Sequence, residues 1–195
     1  MTFIETQISD VKIFEPRVFE DQRGYFFEAY NEKTFFNELG RKPNFCQINE
    51  SSSTKGTIRG LHLQKGASAQ AKLVRVIHGE VMDVAVDCRL GSPSCGSHVA
   101  IYLSSENRRQ LWIPEGFAHG FQVLSDVCIL NYCVTSPYSP KNEVTINCYD
   151  EDLDVRWANI GRALLSEKDR CGMKFADYMS TTPQTTTRRA SGNNV

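Results

Sequence analysis

Apolar and polar positions along this chain alternate in short runs and seldom recur at helical spacing. Phe3 and Ile4, then Val11, Ile13 and Phe14, then Val18 and Phe19 form small apolar groups broken by polar residues and Pro16, which predicts edge strands over residues 3 to 20. Gly24 predicts a tight turn. After it Tyr25, Phe27 and Ala29 alternate with Phe26, Glu28 and Tyr30, so the stretch reads structurally as a hairpin with Arg23 and Glu28 as a solvated ion pair. The segment NEKTFFNEL, residues 31 to 39, has helical spacing and composition, with Gly40 as its stop.

From Phe45 to Gln64 the chain reads FCQINESSSTKGTIRGLHLQ, one strand whose alternate side chains Gln47 and Asn49 are amides where a core strand would carry valines. Such amides face water or line a polar pocket. The segments KLVRVIHGEVMDVAVDCRL, SHVAIYLS, RQLWIPEGFAHGFQVLS, VCILNYCVTSPYSP and EVTINCY are rich in β-branched and aromatic residues and punctuated by Gly79, Gly91, Pro93, Gly96 and Pro114. Many short strands with almost no helix between them indicate an all-β antiparallel sandwich or barrel of jelly-roll type. Near the end SEKDR predicts a turn into a short helix, with Ser166 as cap and Asp169 in the first turn. Beyond about Met179 the sequence has almost nothing to bury. The expectation is one domain over residues 1–178 and a disordered tail over 179–195.

Composition narrows the partners. At 195 residues, 41% of them hydrophobic, the chain suits one well-filled core. Lys and Arg number 22 against 23 Asp and Glu, so no global basic field recruits nucleic acid or an anionic membrane, and a small molecule is the expected partner. The seven cysteines form no C-x-x-C pair and follow a polar amino terminus unlike a secretory signal, which favours free thiols in a reducing cytoplasm. No apolar run approaches the roughly 20 residues of a membrane helix.

The richest chemistry lies between Thr57 and Lys72, reading TIRGLHLQKGASAQAK. His62 has an unperturbed pKa of about 6.5 and can give and take protons near neutrality, while Arg59 and Lys72 are suited to hold an anion or developing oxyanion beside it. A lone histidine of this kind is more often structural. A metal is the first candidate, because β-barrels often hold an ion through an H-x-H pair with a glutamate and a further histidine after a P-x-G turn. Pro114, Gly116 and His119 supply the second half, but Leu63 and Gln64 follow His62, which leaves too few ligands. No phosphate loop, G-x-G-x-x-G, G-x-S-x-G elbow or convincing cysteine nucleophile is present. What remains is His62 and His119, the cations Lys72 and Arg59, and Tyr132 and Tyr138. That set suits proton abstraction beside a carbonyl, with a cation on the enolate and a tyrosine returning the proton to the other face, which is racemisation or epimerisation. Tyr132, in the apolar run CILNYCV, reads equally as a core strand residue.

Taken together, F-x-D-x-R-G-x-F-x-E at 19 to 28, Q-x-N at 47 to 49, R-G-L-H at 59 to 62, Q-A-K-L-V at 70 to 74, I-P-x-G-F-A-H-G-F at 113 to 121, Tyr132, Y-S-P at 138 to 140 and S-E-K-D at 166 to 169 resemble the deoxythymidine diphosphate (dTDP)-4-dehydrorhamnose 3,5-epimerases. These are cofactor-free cupin enzymes of nucleotide-sugar biosynthesis. The resemblance implies His62 as the base at sugar C3 and C5, oriented by Asp169; Tyr132 as the acid on the opposite face; and Lys72 on the enolate, with His119 and Arg59 nearby. It also implies Arg23, Phe26, Glu28, Gln47, Asn49, Glu143 and Lys168 as substrate contacts, Tyr138 as the ring that stacks on the base, a dTDP-4-keto-6-deoxy sugar as substrate, no cofactor, and a homodimer paired through amino-terminal strands. Three departures stand out: Cys133 where lysine is usual, the turn KGASA where proline-rich sequence is usual, and Leu63 where an aromatic is common. They are expected around the sugar pocket. A 3-epimerase, a 3,4-ketoisomerase on a related nucleotide sugar and a non-enzymatic sugar-nucleotide-binding cupin are the alternatives.

Overall fold

A computed structural model describes residues 2–181. In chain order its strands are β1 (Thr2–Glu5), β2 (Lys12–Glu15), β3 (Val18–Asp21), β4 (Gly24–Phe27), β5 (Gln47–Thr54), β6 (Ile58–Gln64), β7 (Lys72–His78), β8 (Glu80–Asp87), β9 (His98–Ser104), β10 (Gln110–Ile113), β11 (Phe117–Val123), β12 (Val127–Val134) and β13 (Glu143–Thr145). The helices are α1 (Glu32–Leu39), α2 (Glu167–Arg170) and α3 (Phe175–Thr181). Residues 182–195, where most of the expected tail falls, lie outside the described residues.

Two antiparallel sheets face each other and do not close into a barrel. One has the order β1-β2-β10-β7-β12-β5 and the other β13-β6-β11-β8-β9, while β3 and β4 pair only with each other. The fold is therefore the all-β sandwich the patterning predicts. Three differences from the pattern have local causes. The stretch 45 to 64 is two strands, because Gly56 (φ 82°) turns the chain between β5 and β6. Of the expected edge strands β1 and β3 are edges of their sheets, but β2 is not, since it lies between β1 and β10. Arg23 pairs with Asp21 at 2.5 Å and not with Glu28, whose carboxylate accepts from Asn31.

Strand alternation explains the layering. Val74, Leu111 and Leu130 of the larger sheet meet Val81, Val99 and Phe117 of the smaller in the central core. On the outer face of the smaller sheet Leu61, Met82, Val84 and Ala118 are covered by the carboxy-terminal segment through Ile146, Leu153 and Tyr178. On the outer face of the larger, Leu73 and Trp112 lie under Phe35 of α1. With both faces covered, β8 is buried from Val81 to Asp87 and β11 throughout, which is why they read as near-continuous apolar runs. α1 starts where expected: Asn31 caps it, its side chain accepting from the Thr34 N–H, and Gly40 ends it in the left-handed conformation. All seven cysteines are free, and among the described residues no helix is long and apolar enough to cross a membrane.

Candidate active site

The two sheets separate where β12 and β5 stand opposite β6 and β13, and two adjoining cavities of about 520 and 220 Å³ open there. His62, Lys72, Tyr132, Tyr138 and Glu143 line both. The larger adds Arg59, His119, Lys168 and Asp169, and the smaller adds Gln47 and Asn49. Eleven of the fourteen candidate residues thus meet at one place from seven elements and a loop.

His62 and Arg59 share this wall only because β6 carries an irregularity. Three residues apart, they would face opposite ways on a regular strand. The pairing runs from His119 opposite His62 to Phe121 opposite Arg59, so β6 spends one residue more than β11. Gly60 permits it: a Cβ there would stand 2.6 Å from Gly120 Cα, a distance no side chain tolerates.

His62 Nε2 lies 2.5 Å from Asp169 Oδ1. Asp169 is 3% exposed. Burial alone would raise its carboxyl group, but hydrogen bonds from His62 and Ser166 outweigh burial and hold it below the ordinary carboxylate range. Ser166 works twice: its Oγ–H donates to Asp169 Oδ2 at 2.7 Å and its Oγ accepts the Asp169 N–H at 3.1 Å, the helix cap expected of SEKD. With Nε2 committed, His62 Nδ1 has no hydrogen-bond partner among the described residues.

Lys72 is 8% exposed. Desolvation pulls its pKa down to about 8 against the opposing charges of Asp83 and Glu143, so it remains a cation at neutrality with its proton loosely held. Its Nζ sits 6.0 Å from the centre of the Tyr132 ring. Tyr132 is half-buried, one side packed on the central core and the other on the cavity, so it is both a strand residue of the core and part of the cavity wall. Burial pushes its phenol above the usual value, with Arg59 acting against, and the phenol stays protonated.

Asp83 was not among the sequence candidates. Fully buried, it places both carboxylate oxygens 3.0 Å from His119 Nε2. Burial lowers the His119 pKa and Asp83 opposes it. The signal was present in the chain: Asp83 is a charged residue inside the apolar run EVMDVAV, where an unpaired carboxylate would be too costly to bury.

At the cavity rim Glu143 accepts from Tyr138 Oη at 3.0 Å and from Lys168 Nζ at 2.9 Å. Gln47 Oε1 accepts the Tyr138 N–H at 3.0 Å, and Arg59 Nε donates to Ser53 Oγ at 2.9 Å. Arg23, Phe26 and Glu28 are not brought here. They stand on or beside the exposed β3–β4 hairpin and line neither cavity. Of the three departures only Leu63 borders a cavity. Cys133 packs on the outer face with the Phe14, Leu73 and Trp112 cluster, because it alternates with Tyr132 along β12, and the KGASA turn lines neither space. Among the described residues no group of three His, Cys, Asp or Glu side chains is arranged to hold a metal.

Comparison with known proteins gives a consistent pattern. Residues 5–177 match the family described as dTDP-4-dehydrorhamnose 3,5-epimerase. A dTDP-4-dehydrorhamnose 3,5-epimerase of Shigella flexneri is 52% identical over 91% of this chain and 97% of its own. The crystal structure of a dTDP-6-deoxy-D-glucose-3,5-epimerase from Legionella pneumophila in complex with dTDP-4-keto-L-rhamnose superposes with a TM-score of 0.87 at 45% identity, over 90% of this chain and 93% of that one. A 3'-monoepimerase from Streptomyces bikiniensis in complex with dTDP-quinovose superposes with a TM-score of 0.84 at 29% identity, over 88% and 87%.

Proposed function

The chain belongs to the dTDP-4-dehydrorhamnose 3,5-epimerase family and is an epimerase, and we propose that it inverts C3 and C5 of a dTDP-4-keto-6-deoxyhexose through an enolate, with no cofactor. The single observation that carries the mechanism is the convergence of the His62–Asp169 pair, Lys72 and Tyr132 on one cavity. His62 takes the carbon-bound proton on Nδ1, and the ionised Asp169 stabilises the imidazolium that forms. Lys72 faces the oxygen of the C4 ketone as it becomes an enolate, with Arg59 as a second cation. Tyr132, kept protonated by burial, returns a proton to the opposite face. His119, holding its Nε2–H toward Asp83, is a neutral imidazole that contacts the sugar as an acceptor. Tyr138, Gln47, Asn49, Glu143 and Lys168 form the nucleotide end.

The hairpin residues fit this reading in a homodimer. Arg23, Phe26 and Glu28 lie off the cavities, and Phe19, Tyr25 and Phe26 of the hairpin are 51%, 58% and 69% exposed, an apolar patch suited to protein contact. In the homodimer the hairpin of one copy reaches the nucleotide of the other. The enzyme works in the cytoplasm, consistent with seven free thiols. Proton NMR of the protein with dTDP-4-keto-6-deoxyglucose in heavy water, with and without a chelator, reads substrate, centres inverted and metal dependence together. Deuterium at C3 and C5 with inversion at both is expected; inversion at C3 alone would assign a 3-epimerase, and no exchange would remove the proposal.

A further inference from the structure

Gln64 follows His62 by two residues on the same face of β6 and is 6% exposed. Its Oε1 accepts the Ser139 N–H at 3.0 Å. A backbone N–H only donates, so this bond fixes which end of the carboxamide is oxygen. The Nε2 end is left facing the smaller cavity that Gln64 lines, without a hydrogen-bond partner among the described residues. The neighbouring glutamines differ. Gln47 gives its Nε2 to Asn49 Oδ1 at 2.7 Å and Gln70 gives its Nε2 to the Ser136 carbonyl at 2.7 Å. An amide donor held in one orientation at the cavity wall, and given no acceptor by the described residues, is placed to meet an acceptor on a bound ligand.

Position says which acceptor. Two residues along a strand span about 6.6 Å, so Gln64 stands one chemical group beyond the atoms within reach of His62. On its other side it grips the loop of Tyr138 and Ser139. If His62 works on the sugar and Tyr138 on the base, what lies between them is the diphosphate that joins the two. We propose that Gln64 is a substrate-binding residue that donates its Nε2–H to a diphosphate oxygen of the bound nucleotide sugar. This rests on the assignment of His62 and Tyr138 above.

The test is titration of wild type, Gln64→Met and Gln64→Glu with dTDP and with thymidine, which lacks the phosphates. Gln64→Met loses both the donor and the acceptor that Ser139 uses at nearly constant volume, and the dissociation constant for dTDP is expected to rise about tenfold, well beyond any rise for thymidine, which reads the Tyr138 loop alone. Gln64→Glu keeps an acceptor for Ser139 and puts an anion where the donor stood, so dTDP weakens further and thymidine does not. Equal weakening of both ligands in Gln64→Met would mean that Gln64 only holds the Tyr138 loop, and unchanged dTDP binding in either variant would overturn the contact outright. Failure of the wild type to bind dTDP would instead sink the nucleotide-sugar reading, a separate outcome.

Discussion

Asp169 Oδ1 lies 2.5 Å from His62 Nε2 across 107 positions of sequence. A four-residue helix with a serine cap delivers the carboxylate, and an irregular strand delivers the ring. The bond fixes the imidazole orientation and leaves one nitrogen for chemistry.

Asp169→Asn keeps the shape and removes the charge that stabilises the imidazolium. kcat is expected to fall by about 10²–10³ with KM within about threefold, measured by steady-state turnover of the 4-keto sugar. A kcat within threefold of wild type would return Asp169 to a purely structural role.

In the proposed mechanism removal and return of the proton fall on different residues, so the two steps separate cleanly by mutation. His62→Ala is expected to abolish both inverted product and deuterium uptake from heavy water. Tyr132→Phe leaves the base in place, so exchange persists while inversion is strongly impaired. Undiminished exchange in His62→Ala would defeat the assignment of the base.

Lys72 trades stability for charge. Its pKa falls from 10.5 to about 8 on folding, so between those values the unfolded chain binds more protons and stability rises with pH. At pH 7 the lysine is protonated in both states, and holding it buried costs on the order of 3 kcal/mol at roughly 1.4 kcal/mol per pH unit. Lys72→Met is therefore expected to be inactive yet more stable by about 1–3 kcal/mol at pH 7, the advantage shrinking above pH 8 and gone near 10.5. Urea unfolding under reducing conditions at pH 7 and pH 9.5 measures it; an equal advantage at both would contradict the shift.

Tyr138 presents an exposed ring whose hydroxyl donates to Glu143. Tyr138→Ala is expected to weaken dTDP binding by about 1–3 kcal/mol, the scale of base–aromatic stacking. Tyr138→Phe keeps the ring and should bind nearly as wild type in calorimetry. Loss in Tyr138→Phe as large as in Tyr138→Ala would assign the contribution to the hydroxyl.

The sequence by itself determined the all-β architecture, the helix stop at Gly40, the helix at Ser166 and most of the residues that line the two cavities. Those features depend on local patterning and on residue chemistry, which are written in order along the chain. Tertiary structure decided what depends on pairing between distant strands. Asp83 became legible as a partner only when β8 and β11 were adjacent. Strict alternation sets Arg59 and His62 on opposite faces, and the extra residue in β6 puts them on one wall. Cys133, next to Tyr132 in sequence, turned away from the cavity to the outer face, and Gln64 acquired its free donor because Ser139 engaged its oxygen. Strand register and irregularity are settled by the fit between two sheets, a long-range packing free energy that no window of residues contains.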